Sequence, residues 1–147
     1  MKTSHLSARS VLGYSRRISH ATASDDIGPL WAKVGASDLL RGQSRAVAVY
    51  HDYTLQPGGY EVTVTVGREV DADEAVPYGL TRVDVPDQAC AVWTTDGSVE
   101  EVVAAWGEVW EQWPDGGPRS FAADVEVWEQ GPDGKPRAAQ VYVGVRS

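Results

Sequence analysis

Ala46–Tyr53 (AVAVYHDY) and Tyr60–Val70 (YEVTVTVGREV) alternate apolar and polar side chains at a period of two, around the turn Gln56-Pro57-Gly58-Gly59. That combination predicts an antiparallel β-hairpin. Phe121–Glu129 (FAADVEVWE) and Ala138–Arg146 (AAQVYVGVR) repeat the arrangement around Gly131-Pro132-Asp133-Gly134. The two hairpins align in detail. Val47-Ala48-Val49-Tyr50 falls on Val125-Glu126-Val127-Trp128, and Val62–Gly67 falls on Val141–Arg146.

Working outward, each hairpin is preceded by a helix and a weaker strand. Ser98-Val99-Glu100-Glu101 is an S-x-x-E capping box and Pro114 stops the helix after Trp113. Val102, Trp106, Val109, Trp110 and Trp113 recur at three- and four-residue spacing, so this stripe should pack on the sheet. A first helix is expected over Asp25–Val34, ended by Gly35, with Pro29 tolerable only in its first turn. Weaker strands are expected at Ala8–Ile18, Leu80–Val85 and Ala89–Thr95. The predicted fold is α+β. Two β-α-β-β units, about 6–70 and 80–146 of a single domain 1–147, form one curved antiparallel sheet. Both helices lie on one face.

Alternation also assigns faces. Val47, Val49, Val62, Val64, Val66, Val125, Val127, Val141, Val143 and Val145 form the apolar set expected to meet the helices. The opposite face would carry Ala48, Tyr50, Thr63, Thr65, Glu126, Trp128, Tyr142 and Gly144. A solvated face would be rich in charge, yet this one holds a single carboxylate among rings and small residues. Glu126 is the residue singled out: a carboxylate flanked by Trp128 and Tyr142 is partly desolvated, which raises its pKa or calls for a cationic partner. The surrounding rings add cation–π attraction. An exposed strand glutamate paired with arginine is the plainer alternative. Trp93 has no assigned face, and Tyr53 and Tyr78 are candidates for the rim of a pocket.

Composition narrows the classes. The 147 residues include six Trp and six Tyr but one Phe and one Met, an excess of rings with a polar edge. Net charge is −8, which argues against a direct nucleic-acid binder. Residues 1–45 carry +4 and residues 46–147 carry −12. Cys90 is the only cysteine, and His5, His20 and His51 lack ligand spacing, so no metal or other cofactor is expected. No apolar run suits a membrane span or secretion signal, and a cytoplasmic location without membrane partner is the expectation. Ser-His-Asp motifs, phosphate-binding glycine loops and CxxC pairs are not evident in the sequence.

These residues resemble the GyrI-like proteins, which share their domain with the effector-binding regions of bacterial AraC- and MerR-type regulators. The matching pieces run in order through nearly the whole chain. They are Ile27–Trp31, Tyr50–Tyr53, Tyr60–Val70, Val85-Pro86, Ala91–Trp93, Trp106–Pro114, Asp124–Trp128 and Val141–Val143. The resemblance implies multidrug-type binding of amphipathic, often cationic compounds. It also implies a central ligand cleft, with Glu126 at its floor and Tyr142 and Trp93 at aromatic positions. Cys90 departs from a position that is commonly aromatic, and no basic recognition helix is evident, so the likeness is to stand-alone members. Three functions follow from it. The favoured one is binding of a small cationic or aromatic ligand at Glu126, Tyr142, Trp128, Tyr50, Trp93, Ala48, Thr63, Tyr53 and Tyr78. The second is hydrolysis of cyclopropane-bearing, DNA-alkylating natural products, with Glu126 as general base and Tyr142 orienting the substrate. The third is a protein partner, such as gyrase or a separate regulator, meeting the acidic second half.

Overall fold

The computed structural model describes residues 2–133 and 135–146, so Gly134 of the second predicted turn lies outside the described residues. Its elements are β1 (Lys2–Leu6), β2 (Arg9–Ser19), α1 (Ala23–Gly35), β3 (Arg45–Gln56), β4 (Gly59–Val70), β5 (Thr81–Val85), β6 (Gln88–Thr95), α2 (Val99–Gln112), β7 (Arg119–Gln130) and β8 (Pro136–Val145). The strands make one antiparallel sheet in the order β1-β6-β8-β7-β3-β4-β2-β5. The β2-α1-β3-β4 unit and the β6-α2-β7-β8 unit therefore meet along β3 and β7, where Ala48 faces Glu126. β1 was not expected from the sequence.

Local chemistry explains both helices. Ser98 Oγ accepts the Glu101 amide at 3.2 Å, and Asp96 Oδ1 takes the Ser98 amide at 2.8 Å. The capping box is thus half formed: Asp96 does the work expected of the Glu101 side chain. α1 starts two residues before the predicted Asp25, with Asp25 and Asp26 in its first turn. Pro29 is not in that turn. It stands in the second, where its ring removes one helical hydrogen bond, and burial of Leu30 and Val34 holds the helix on the sheet.

The helix face is the row Tyr14–Val66–Ala48–Glu126–Val141–Trp93, read across six strands. Leu30 and Val34 of α1 pack on Val62, Val64 and Val66, while Val102, Ala105 and Val109 of α2 pack on Val141 and Val143. The expected face assignment is corrected for four of the ten valines. Val47, Val49, Val125 and Val127 point away from the helices, into a second core with Leu6, Val11, Val85, Cys90 and Val92. That core joins both edge strands to the central ones, so the sheet curls upon itself and needs no helix behind it.

Two β-bulges account for the correction. The first hairpin leaves its turn with Gln56 opposite Gly59, but beyond the bulge His51 is opposite Thr63, and Asp52 and Tyr53 share one partner position. The second hairpin leaves with Gln130 opposite Pro136 and continues with Glu129 opposite Ala138, so Arg137 is the extra residue. One additional residue reverses the face of everything beyond it. Ala48, Tyr50, Glu126 and Trp128 consequently share a face with the helices. Thr63, Thr65, Tyr142 and Gly144 lie behind the sheet.

Candidate functional site

The candidate site lies where neither helix covers the two central strands. Glu126, in the middle of β7, is only 3% exposed. Its Oε2 accepts from Trp106 Nε1 at 2.7 Å and from the Tyr50 hydroxyl at 2.9 Å, and its Oε1 accepts from Trp128 Nε1 at 3.0 Å. Ala48, fully buried on the adjacent strand, leaves room for this arrangement. Tyr50 lies 5.2 Å from Trp106, and Trp128 meets Trp31 of α1 edge-on at 5.6 Å. Four rings from two strands and two helices thus close over one carboxylate.

Burial is the largest influence on Glu126 and raises its pKa above the ordinary glutamate value, while the three donors pull it back. Among the described residues its hydrogen-bond partners are these three neutral donors, with no cationic side chain. Tyr50 is pushed well above the usual phenol range, first by burial and then by Glu126 itself, so its hydroxyl stays a donor. The plainer alternative of an exposed, arginine-paired glutamate is excluded by this geometry.

The other expected residues separate. Tyr53 reaches the neighbourhood from the bulge, donating to Asp124 Oδ2 at 2.6 Å. Trp93 is on the helix face but two strands from Glu126, packed edge-on against Trp113 at 5.7 Å. Tyr142 faces backward, and its hydroxyl bonds Gln140. Thr63 also faces backward and accepts from Arg17 Nη1 at 3.1 Å. Tyr78 is fully exposed in the loop before β5.

Four residues that sequence reasoning passed over complete the site. Trp106 belongs to the helical stripe expected to pack on the sheet, and Trp31 lies in the Ile27–Trp31 segment, where periodicity marks no site. Asp124, two residues before Glu126 on its face, and Arg119 form a fully buried ion pair at 2.7 Å. The signal for Asp124 was its parity with Glu126; Arg119 carried none. An open groove of about 700 Å³ adjoins the site at the C-terminal end of α2. Tyr60 and Trp110, stacked 5.2 Å apart, and Phe121 form part of its wall. Among the described residues no His, Cys, Asp or Glu cluster could hold a metal, and no helix is long and apolar enough to cross a membrane.

A curled antiparallel sheet with two helices flanking a carboxylate under aromatic rings defines an effector-binding type of α+β domain. The chain belongs to the family of integron-associated effector-binding proteins, Cass2, within the GyrI-like superfamily, with residues 4–145 matched. YobU of Bacillus subtilis (strain 168), provisionally assigned to transcriptional regulation, is 31% identical over 131 residues, covering 82% of this chain and 81% of that protein. An integron cassette protein from the mobile metagenome of Vibrio cholerae has the same fold, with a TM-score of 0.78 and 20% identity over 99% of this chain and 95% of its own. SAV2435, solved bound to tetraphenylphosphonium, has a TM-score of 0.77 and 12% identity over 99% of this chain and 93% of its own. At these identities the last two are likenesses of fold.

Proposed function

We propose that this protein binds small amphipathic monocations, with Glu126 as the counter-charge and the rings of Tyr50, Trp106, Trp128 and Trp31 as its walls. One observation carries the reading: a carboxylate that is 3% exposed is held by three neutral donors and no cation. A buried carboxylate without a counter-ion is expensive, and a lipophilic cation with aromatic arms supplies both the charge and the surface. Binding by this route displaces at least one indole N–H from Glu126, so the guest exchanges a dipole for a full charge. The complex of SAV2435 with tetraphenylphosphonium supports this ligand class by likeness of fold.

The geometry favours binding over hydrolysis. Both oxygens of Glu126 are already held by side-chain donors, and Tyr142, the hydroxyl expected to orient a substrate, faces the opposite side of the sheet.

The test is a titration of tetraphenylphosphonium followed by tryptophan fluorescence. Wild type should give a saturable change, weakened about tenfold or more in Glu126→Gln. Affinity should also fall as the pH is lowered towards 4.5, because the protonated acid must lose its proton to meet a cation. An equal response from wild type and Glu126→Gln would refute the reading.

A further inference from the structure

Asp124 is a second buried carboxylate on the same face of β7, and it already holds a cation. Arg119 Nη2 donates to Asp124 Oδ2 at 2.7 Å, with both side chains fully buried. Asp124 is otherwise held as tightly as Glu126: Oδ2 accepts from Tyr53 and Oδ1 from the Gly144 amide at 2.9 Å. The far side of the guanidinium is held differently. Arg119 Nε and Nη1 have no hydrogen-bond acceptor among the described residues. Instead, the rings of Phe121, Trp110, Tyr53 and Trp106 lie 4.3, 4.6, 5.7 and 6.0 Å from its carbon. Four electron-rich faces around a desolvated cation form an aromatic cage.

The backbone is strained to complete this cage. Phe121 has φ +55°, a left-handed conformation that a bulky side chain seldom adopts, within the irregular stretch between Arg119 and Asp124. That conformation sets its ring 5.3 Å from Tyr53 and closest of the four to the guanidinium.

The two carboxylates therefore use one recipe, a buried acid under tyrosine and tryptophan, and differ in that one is filled. Trp106 stands between them, its N–H on Glu126 and its ring facing Arg119. We propose that Arg119 is a resident cation filling a second cation subsite at Asp124. The cleft is thereby limited to guests with one cationic centre, and removing Arg119 opens it to guests with two. The limit on guests rests on the proposed role of Glu126; the subsite itself does not. Residues i and i+2 of a strand lie ~7 Å apart, which sets the charge separation such a guest needs.

The proposal is tested with matched probes. Pentyltrimethylammonium carries one charge, and pentane-1,5-bis(trimethylammonium) carries two at about that spacing. Wild type should not prefer the dication. Arg119→Ala should bind it about tenfold more tightly than the monocation, and Arg119→Ala/Asp124→Asn should lose the preference. Phenylguanidinium, a copy of the displaced head group, isolates the subsite: it should bind and thermally stabilise Arg119→Ala/Glu126→Gln but not Glu126→Gln. Equal binding to those two variants would overturn the subsite, whatever Glu126 does. Loss of monocation binding in Glu126→Gln tests the other reading alone. Arg119→Gln keeps a donor on Asp124 while removing the charge, and the same criteria apply to it if Arg119→Ala does not fold.

Discussion

Glu126 is governed by a contest between desolvation and donation. Burial raises its pKa above the ordinary 4.5, and hydrogen bonds from Trp106, Trp128 and Tyr50 oppose the rise. Because the folded value exceeds the unfolded one, the folded protein binds more protons between the two. The stability contributed by this group is complete below pH 4.5 and is lost as pH rises through the raised value. Thermal melts across that window should show the loss in wild type and lack it in Glu126→Gln. Trp106→Phe keeps an aromatic ring and deletes one donor to Glu126. It should lose about 1.5–3 kcal/mol in urea unfolding at a pH where Glu126 is ionised, and less where it is protonated. Cys90 offers a contrast: burial, with help from Asp124, pushes its thiol up to about 11, so it should resist thiol reagents until the protein unfolds. A lone acid among aromatic residues on one strand face was legible in the sequence. Its donor on α2 was not, because helical periodicity tells which stripe meets the sheet and not which atom an indole edge touches.

The decisive local features are the bulges. Asp52 has φ +54°, and the Arg17 guanidinium holds its carbonyl. Asp tolerates the left-handed region better than β-branched residues do, so Asp52→Val should destabilise by about 1–2 kcal/mol while Asp52→Gly stays within about 1 kcal/mol of wild type. Urea midpoints of the two variants check this. Deleting Asp52 is a harsher test, since it would turn Val47 and Val49 towards the helices and drive Ala48 and Tyr50 out of the site. Each hairpin was legible from its turn and its alternation. Which way each valine points was not, because His51-Asp52-Tyr53 reads equally well as regular strand, and Lys135–Arg137 lies between the expected turn and the expected strand.

At the scale of the molecule, the duplication is locked by exchanged edges. β1 precedes the first unit but pairs with β6 of the second, and β5 precedes the second but pairs with β2 of the first. Where β2 meets β4, Gly13 faces Gly67, and a Cβ on either would lie about 2 Å from the other strand's backbone. With β3 also paired to β7, the two units share three strand pairings, β1–β6, β2–β5 and β3–β7. Unfolding should therefore be one cooperative transition, with far-UV dichroism and tryptophan fluorescence changing at the same denaturant concentration. Two separated transitions would contradict the clasp.

The kinds of elements, their repetition, the central acid and the surplus of tryptophan and tyrosine are legible in the order of residues alone. Periodicity, capping and turn chemistry are local and can be read from a few neighbouring residues. Tertiary structure alone decided that the rings of both helices close over Glu126, that Tyr142 turns away, and that Arg119 lies caged against Asp124. Those outcomes depend on strand register, which one extra residue in each hairpin reverses, and on burial, which sets whether a carboxylate keeps its own cation or waits for another.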